Sequence, residues 1–317
     1  MRYLFYIIIF IIVAFGVLLF ALNTPDIPLE DLKKKYTNEE SEFTELMDMD
    51  VHFRDEGQGM ALVLIHGTAS SLHTWDIWTE EMKDSLRVLR LDLPAFGLTG
   101  PHPSHDYSLD TYADLVAEFL DSRGVDSCYI AGNSLGGGIA RKFAEKYPER
   151  TKKLILVDPG GYRSNKGLPF AFKLGRTPIV KNLISSITPL FLYENSIKEV
   201  YHDDSKITDE LLMRYYELSL APGNRDALVA RMNQEYKPAA WKENFLQIPV
   251  LIMWGKTDAW IPVTMVDSFM EDIPAAEVMI YENAGHVPME EIPYETAEDA
   301  REFLLGKKLE KLSRYPK

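Results

Sequence analysis

Ser134 stands within the stretch CYIAGNSLGGGIARKFAEKYPER, Cys128 to Arg150, with glycines at positions 132, 136, 137 and 138. Tyr129, Ile130 and Ala131 read as a buried strand, whereas Ile139, Ala140, Phe143 and Ala144 fall on one face of a helix. Gly132-Asn133-Ser134-Leu135-Gly136 therefore fits G-x-S-x-G at a strand-to-helix junction. A hydroxyl lifted off the end of a sheet needs a sharp turn with strained dihedrals. Side chains at 132 and 136 would collide with neighbouring backbone, which glycine avoids. The N–H of Leu135 opens the next helix, where backbone donors are free and developing negative charge is favoured. These are the requirements of a serine nucleophile.

Such a hydroxyl needs a base, and the base needs an orienting group. His286, in YENAGHVPMEE, follows the last expected strand after an Ala-Gly turn. Asp258, in LIMWGKTDAWIP, lies three residues beyond the end of another strand. A carboxylate there can accept the Nδ1–H of the histidine, fix its tautomer and stabilise the imidazolium. Asp158, ending the strand KKLILVD, is the reserve candidate for that acid. A tetrahedral oxyanion also needs a second donor. The N–H of Thr68, after His66-Gly67 at the end of MALVLIHG, is assigned that place beside the N–H of Leu135. His66 is read as holding the loop by hydrogen bonds. No metal or organic cofactor is implied.

The elements that must position these groups alternate. Two edge strands are expected in FTELMDMDVHFRDEG, then strands at Met60–Gly67, Leu86–Pro94, up to Gly132, Lys152–Asp158, Ile248–Gly255 and Ala276–Glu282. Helices are expected at Thr74–Lys83, at Ser108–Ser122 with Ser108 as its cap in a capping box, from Leu135, and from Pro262 as a first helical residue. Near-continuous apolar strands imply a mostly parallel central sheet with helices on both faces, an α/β fold. Residues 159–241 carry no convincing strand and are too long for a simple connection, so they are read as an inserted helical cap. Its apolar residues Phe170, Phe172, Ile179, Val180, Leu183, Ile184, Leu190, Phe191 and Leu192 are expected to pack against the sheet edge, or to line an acyl pocket or a surface dipping into a bilayer. Residues 41–158 and 242–317 form the two parts of the core, and the polar stretch 26–40 reads as a linker.

The chain has 317 residues, 46% hydrophobic and 26% charged, with a formal net charge of −14. An acidic surface disfavours nucleic acid as a partner. The single cysteine, Cys128, precludes an intrachain disulfide and reads as a small buried hydrophobe. Leu4 to Leu22 is a 19-residue apolar run, about 28 Å long as a helix, enough to cross a hydrocarbon core. Residues 1–25 are thus expected to be an uncleaved, single-pass transmembrane anchor through residues 4–22. Arg2 and the terminal amine favour the N-terminus inside, which puts the catalytic domain in a periplasmic or other extracytoplasmic position.

With LIHGTASSLHTWDIW, LDLPAFGLTG, GNSLGGGIARKFAEKYPERTKKLILVDPGG, IMWGKTDAWIP and GHVPMEEIP on the page, the chain resembles the α/β-hydrolase superfamily from about residue 50 to 305. The chain order Ser134, Asp258, His286 is the order that family uses. GNSLGG, VDPGG and GHVPMEE are similar to stretches of the bacterial serine esterase and lipase branch and of the carbon–carbon bond hydrolases. Two positions depart from the pattern: Ala95 replaces the usual glycine of DLPGFG, and the loop after His66-Gly67 lacks the further glycines of the HGGG type. The second departure leaves Thr68 as the sole donor from that side. Epoxide hydrolases and haloalkane dehalogenases in the superfamily carry aspartate at the elbow, so Ser134 argues against both. The resemblance implies a serine hydrolase cleaving small-molecule or lipid-like carboxylic esters through an acyl-enzyme. The alternatives are carbon–carbon hydrolysis of the meta-cleavage type, cofactor-free perhydrolysis, and a non-catalytic binding protein on the same scaffold.

Overall fold

The computed structural model describes residues 2–162, 173, 175–177, 186–234 and 247–306. Its centre is an eight-stranded sheet in the order β1-β2-β4-β3-β5-β6-β7-β8. The strands are β1 (Ser41–Leu46), β2 (Met49–Glu56), β3 (Ala61–Ile65), β4 (Arg87–Leu91), β5 (Cys128–Asn133), β6 (Thr151–Val157), β7 (Val250–Gly255) and β8 (Glu277–Tyr281). β1 and β2 form an antiparallel hairpin at one edge, and β2 pairs antiparallel with β4. From β4 onwards all pairings are parallel. The central strands read as unbroken apolar runs because both faces are covered. Val63 and Ile65 of β3 point into one apolar cluster, Leu62 and Leu64 into the other.

The first cluster is roofed by helices Leu109–Ser122, Leu135–Lys146 and Val266–Asp272, the second by Asp76–Met82 and Pro293–Leu304. Ser108 caps its helix through its hydroxyl, which accepts from the N–H of Thr111 at 3.2 Å. Pro262 differs from expectation. It sits in extended conformation ahead of a 3₁₀ turn at Val263–Met265, and the α-helix begins only at Val266.

Between the adjacent strands β6 and β7 the described residues form helices at Leu190–Val200, Asp209–Ser219 and Asn224–Asn233 and no strand. Of the apolar residues expected to pack there, Phe170, Phe172, Ile179, Val180, Leu183 and Ile184 lie outside the described residues. Leu190 and Phe191 are exposed.

The stretch read as a linker contains a two-turn helix, Leu29–Tyr36. Leu32 and Tyr36, one turn apart, are buried against Leu98, Leu218 and Ala221. The Tyr36 hydroxyl and the Lys35 ammonium both donate to the Glu217 carboxylate.

The transmembrane anchor is corrected. A helix does run from Arg2 to Ala21, but among the described residues no helix is long and apolar enough to cross a membrane. The single-pass anchor through residues 4–22 falls with this finding, and so do the membrane partner and the extracytoplasmic placement inferred from it.

A buried carboxylate fixes the loops at the end of β4. Asp92 accepts from Leu72 N–H and Leu98 N–H, each at 2.8 Å, and from His52 Nδ1–H at 2.7 Å. Burial pushes this carboxyl up, but the charge and hydrogen bond of His52 outweigh it and hold Asp92 well below the usual carboxylate range. A depressed carboxylate stabilises the fold above its unfolded-state value, near pH 4, and loses that stabilisation as the pH falls below it. Asp92→Asn is expected to cost about 2–4 kcal/mol at neutral pH. The gap to the native protein should narrow on the acid side of pH 4, as read by urea unfolding across pH.

Candidate active site

Ser134 follows β5 directly, with φ 54° and ψ −115°. This is a costly conformation for a residue with a side chain, and it persists only where surroundings over-determine it. The backbone does so here. Ser134 N–H donates to Val157 O at 3.0 Å, and Ser134 O accepts from Gly160 N–H at 2.7 Å and Gly138 N–H at 3.2 Å. The glycines are required on both sides. A Cβ at Gly132 would lie 2.1 Å from Gly136 O, and one at Gly136 would lie 2.1 Å from Ile65 O. The helix Leu135–Lys146 consequently starts hard against the ends of β3 and β5.

His286 is delivered by the loop after β8. Its N–H donates to Val200 O at 2.7 Å, and its Nδ1–H donates to Asp258 Oδ2 at 2.6 Å. The other Asp258 oxygen, Oδ1, accepts from the N–H groups of Trp260 and Ile261 at 2.8 Å each. The Trp260 ring lies 5.5 Å from the imidazole. His286 and Asp258 are both buried, and His286 Nε2 has no hydrogen-bond partner. Ser134 is half-buried. The pair His286–Asp258 is thus joined, whereas a Ser134–His286 hydrogen bond is not formed. Such bonds commonly tighten only when substrate is bound.

On the other side of the elbow, Gly67 approaches Ser134 so closely that a Cβ there would be 3.2 Å from Ser134 Cβ. Thr68 follows at the mouth, and Ala69 turns the loop with φ 59°. His66 anchors it as a neutral ring. Nδ1–H donates to Gly67 O at 2.7 Å and Nε2 accepts from Leu93 N–H at 2.9 Å, while burial lowers its basicity. Beyond Thr68, a partly open recess is lined by Ser70, Phe96, Tyr193, Tyr215, Leu218 and Leu228, among others.

Three further residues hold the site, and the sequence reading gave none of them this part. Asn133 Nδ2 donates to Val157 O at 3.2 Å and to His286 O at 3.0 Å, tying the elbow to the histidine loop. Glu291 is buried, and its carboxylate accepts from Gly285 N–H at 2.7 Å, His202 N–H at 2.9 Å and Asp203 N–H at 2.8 Å. Its neighbour Glu290 accepts from Tyr215 and Arg214 on helix Asp209–Ser219. The two carboxylates of GHVPMEE therefore bind the His286 loop to residues 202–215. Asp158 is the reserve acid of the sequence reading, and it lies fully buried beside Asp258 and His286. Burial first, and then the neighbouring Asp258 charge, raise its carboxyl well above the usual range. Among the described residues, these three are the group whose side chains could converge on a metal ion, with ligand atoms within 4.8 Å of one another. The short Asp258–His286 bond already occupies the Nδ1 of the imidazole, so the cluster reads as a hydrogen-bonded relay.

Asn133→Ala is expected to remove the side-chain donor from His286 O, to leave Val157 O with Ser134 N–H alone, and to lower stability by about 1–3 kcal/mol, measured by thermal or chemical unfolding.

The model of the α/β hydrolase fold matches residues 61–293. The chain is 26% identical over 257 residues to the 2-hydroxy-6-oxo-6-phenylhexa-2,4-dienoate hydrolase of Burkholderia cepacia, covering 76% of this chain and 86% of that protein. It is 27% identical over 274 residues to Lipase 3 of Moraxella sp. strain TA144, covering 80% of each. Among solved structures, a membrane phospholipase A described as a bacterial virulence factor superposes with a TM-score of 0.73 at 27% identity, over 96% of this chain and 98% of that one. The match of the family model across most of the chain, on a sheet of this order with a serine at the turn after β5, shows that the chain belongs to the α/β-hydrolase fold family.

Proposed function

We propose that the protein is a serine hydrolase that cleaves carboxylic esters through an acyl-enzyme. The observation that carries this reading is the buried His286, bonded through Nδ1 to Asp258 and left with a free Nε2, on a loop that Asn133 ties to the strained elbow at Ser134. Asp258 holds the tautomer in which Nε2 is the basic nitrogen. His286 takes the proton of Ser134 as Oγ attacks the ester carbonyl. The N–H groups of Leu135 and Thr68 stabilise the oxyanion, each contributing about 10²–10³ in rate. His286 then protonates the leaving alcohol, and water hydrolyses the acyl group by the same route. Residues 159–241 act as a cap, and the recess between Phe96 and helices Asp209–Ser219 and Asn224–Asn233 takes part of the substrate. Relatives that are lipases support the ester reading.

A second reading, carbon–carbon hydrolysis of a vinylogous diketone, is favoured by the similarity to the dienoate hydrolase. The same nucleophile, base and acid serve both reactions. Kinetics on p-nitrophenyl esters of increasing chain length, beside a 2-hydroxy-6-oxo-dienoate, separates them by kcat/KM.

Ser134→Ala is expected to reduce turnover by about 10⁴-fold or more with an unchanged unfolding midpoint. A fluorophosphonate probe should label the native protein at Ser134 and leave the variant unlabelled. Near-normal ester hydrolysis by the variant would remove Ser134 from the mechanism. Activity of the native protein should fall as pH drops, since only the neutral imidazole accepts the proton.

A further inference from the structure

β6 and β7 are neighbours in register, with Val157 opposite Met253. Asp158, just past the end of β6, therefore meets Gly255, the last residue of β7: Asp158 N–H donates to Met253 O at 2.9 Å, and Gly255 N–H donates to Asp158 Oδ1 at 3.0 Å. Asp158 has φ 42°, an uncommon conformation for a residue with a side chain, and its carboxylate lies within 4.8 Å of the ligand atoms of Asp258 and His286. The two carboxyls are provided for very differently. Asp258 receives three donors, from Trp260, Ile261 and His286. Asp158 receives one, from Gly255, and its Oδ2 is buried with none. Two carboxylates this close in a dry site do not both ionise. Asp158, with its single donor and a buried, unpartnered Oδ2, is the one that keeps a proton.

We propose that Asp158 is a positioning residue held as a neutral carboxylic acid, whose Oδ2–H donates to the Asp258 carboxylate so that the relay carries one negative charge. Asp258 Oδ2 has a lone pair left after accepting from His286, and the soft χ2 of aspartate lets the acid reach it. The hydrogen bond steadies Asp258 and draws off part of its negative charge. Asp258 then holds the imidazolium less tightly, and the base is restored at lower pH. The other ionisable groups packed around Asp158 are Glu291, with three N–H partners, and Tyr281, whose hydroxyl donates to Asp299 at 3.1 Å. Neither brings a positive charge that would let Asp158 ionise. The role rests on the Ser134–His286–Asp258 reading above.

The test uses the full-length protein. Infrared difference spectra on protein carrying ¹³C-labelled aspartate should show a protonated carboxylic acid at neutral pH. The band should persist in Ser134→Ala and disappear in Asp158→Asn. Absence of the band in the native protein, or its survival in Asp158→Asn, would overturn the assignment whether or not the triad reading stands. The pH profile of kcat/KM supplies the second arm. Asparagine keeps a neutral donor, so the acid limb of Asp158→Asn should coincide with that of the native protein. If Asp158 were ionised, the substitution would remove a negative charge near the imidazole and move the limb down by about one unit or more, which would also overturn the proposal. Asp158→Ala removes the donor and should move the limb up; a limb moving down would count against it. Should the alanine variant fail to fold, the asparagine variant and the spectrum decide alone. Failure of the underlying reading has a separate signature, namely full activity in Ser134→Ala.

Discussion

The strained backbone at Ser134 is the constraint around which the rest is arranged. A positive φ at a residue with a side chain costs of the order of 1–3 kcal/mol. Here it is held by backbone hydrogen bonds to Val157, Gly160 and Gly138. The turn fits only if helix Leu135–Lys146 lies against Ile65 O and against its own first glycine, which forbids side chains at 132 and 136. That close approach fixes where the helix starts, and hence where the free N–H of its first residue points. It also brings the loop at Gly67 alongside. One steric requirement thus sets the proposed nucleophile and both proposed oxyanion donors, and a sheet with apolar cover on both faces supplies the rigidity.

The second half of the site depends on electrostatics more than on sterics. His286, Asp258, Asp158 and Glu291 are four titratable groups in a buried region, and they are provided for unequally. Asp258 and Glu291 are given three donors apiece. Charged carboxylates withstand burial when they are provided for in this way. Asp92 repeats the solution at the end of β4, with two N–H groups and a histidine. The loops at this edge of the sheet are therefore pinned by buried acids that hold amides no strand or helix satisfies.

Much of this was legible in the sequence, for physical reasons that differ by residue. The elbow announces itself because glycine spacing reports a backbone clash directly. Asp258 and His286 could be picked out because each follows an apolar run that ends in a glycine or Ala-Gly turn. Asp158 was visible as a strand-end acid, but its contact with Asp258 follows from β6 and β7 being neighbours, and strand order is not written in local pattern. Glu290 and Glu291 look like the polar face of a short helix, whereas Glu291 is in fact buried under backbone amides. The stretch 26–40 misled by composition: Leu32 and Tyr36, one turn apart among charges, are the signal of an amphipathic helix too short to dominate a window. The apolar run at 4–22 misled in the other direction, since hydropathy alone was taken as a span.

The small helix Leu29–Tyr36 has a consequence for how the molecule breathes. It sits like a wedge between the body and helix Asp209–Ser219, gripping Glu217 from one side while Tyr36 O takes hydrogen bonds from Arg54 of β2 and from His73 in the turn that follows β3. Helix Asp209–Ser219 is also grasped by Glu290 near the histidine. Any outward swing of that helix must break both grips, one at each flank. Helix Asp209–Ser219, which lines the recess, is accordingly tied both to the chain ahead of the first strand and to the segment that follows His286.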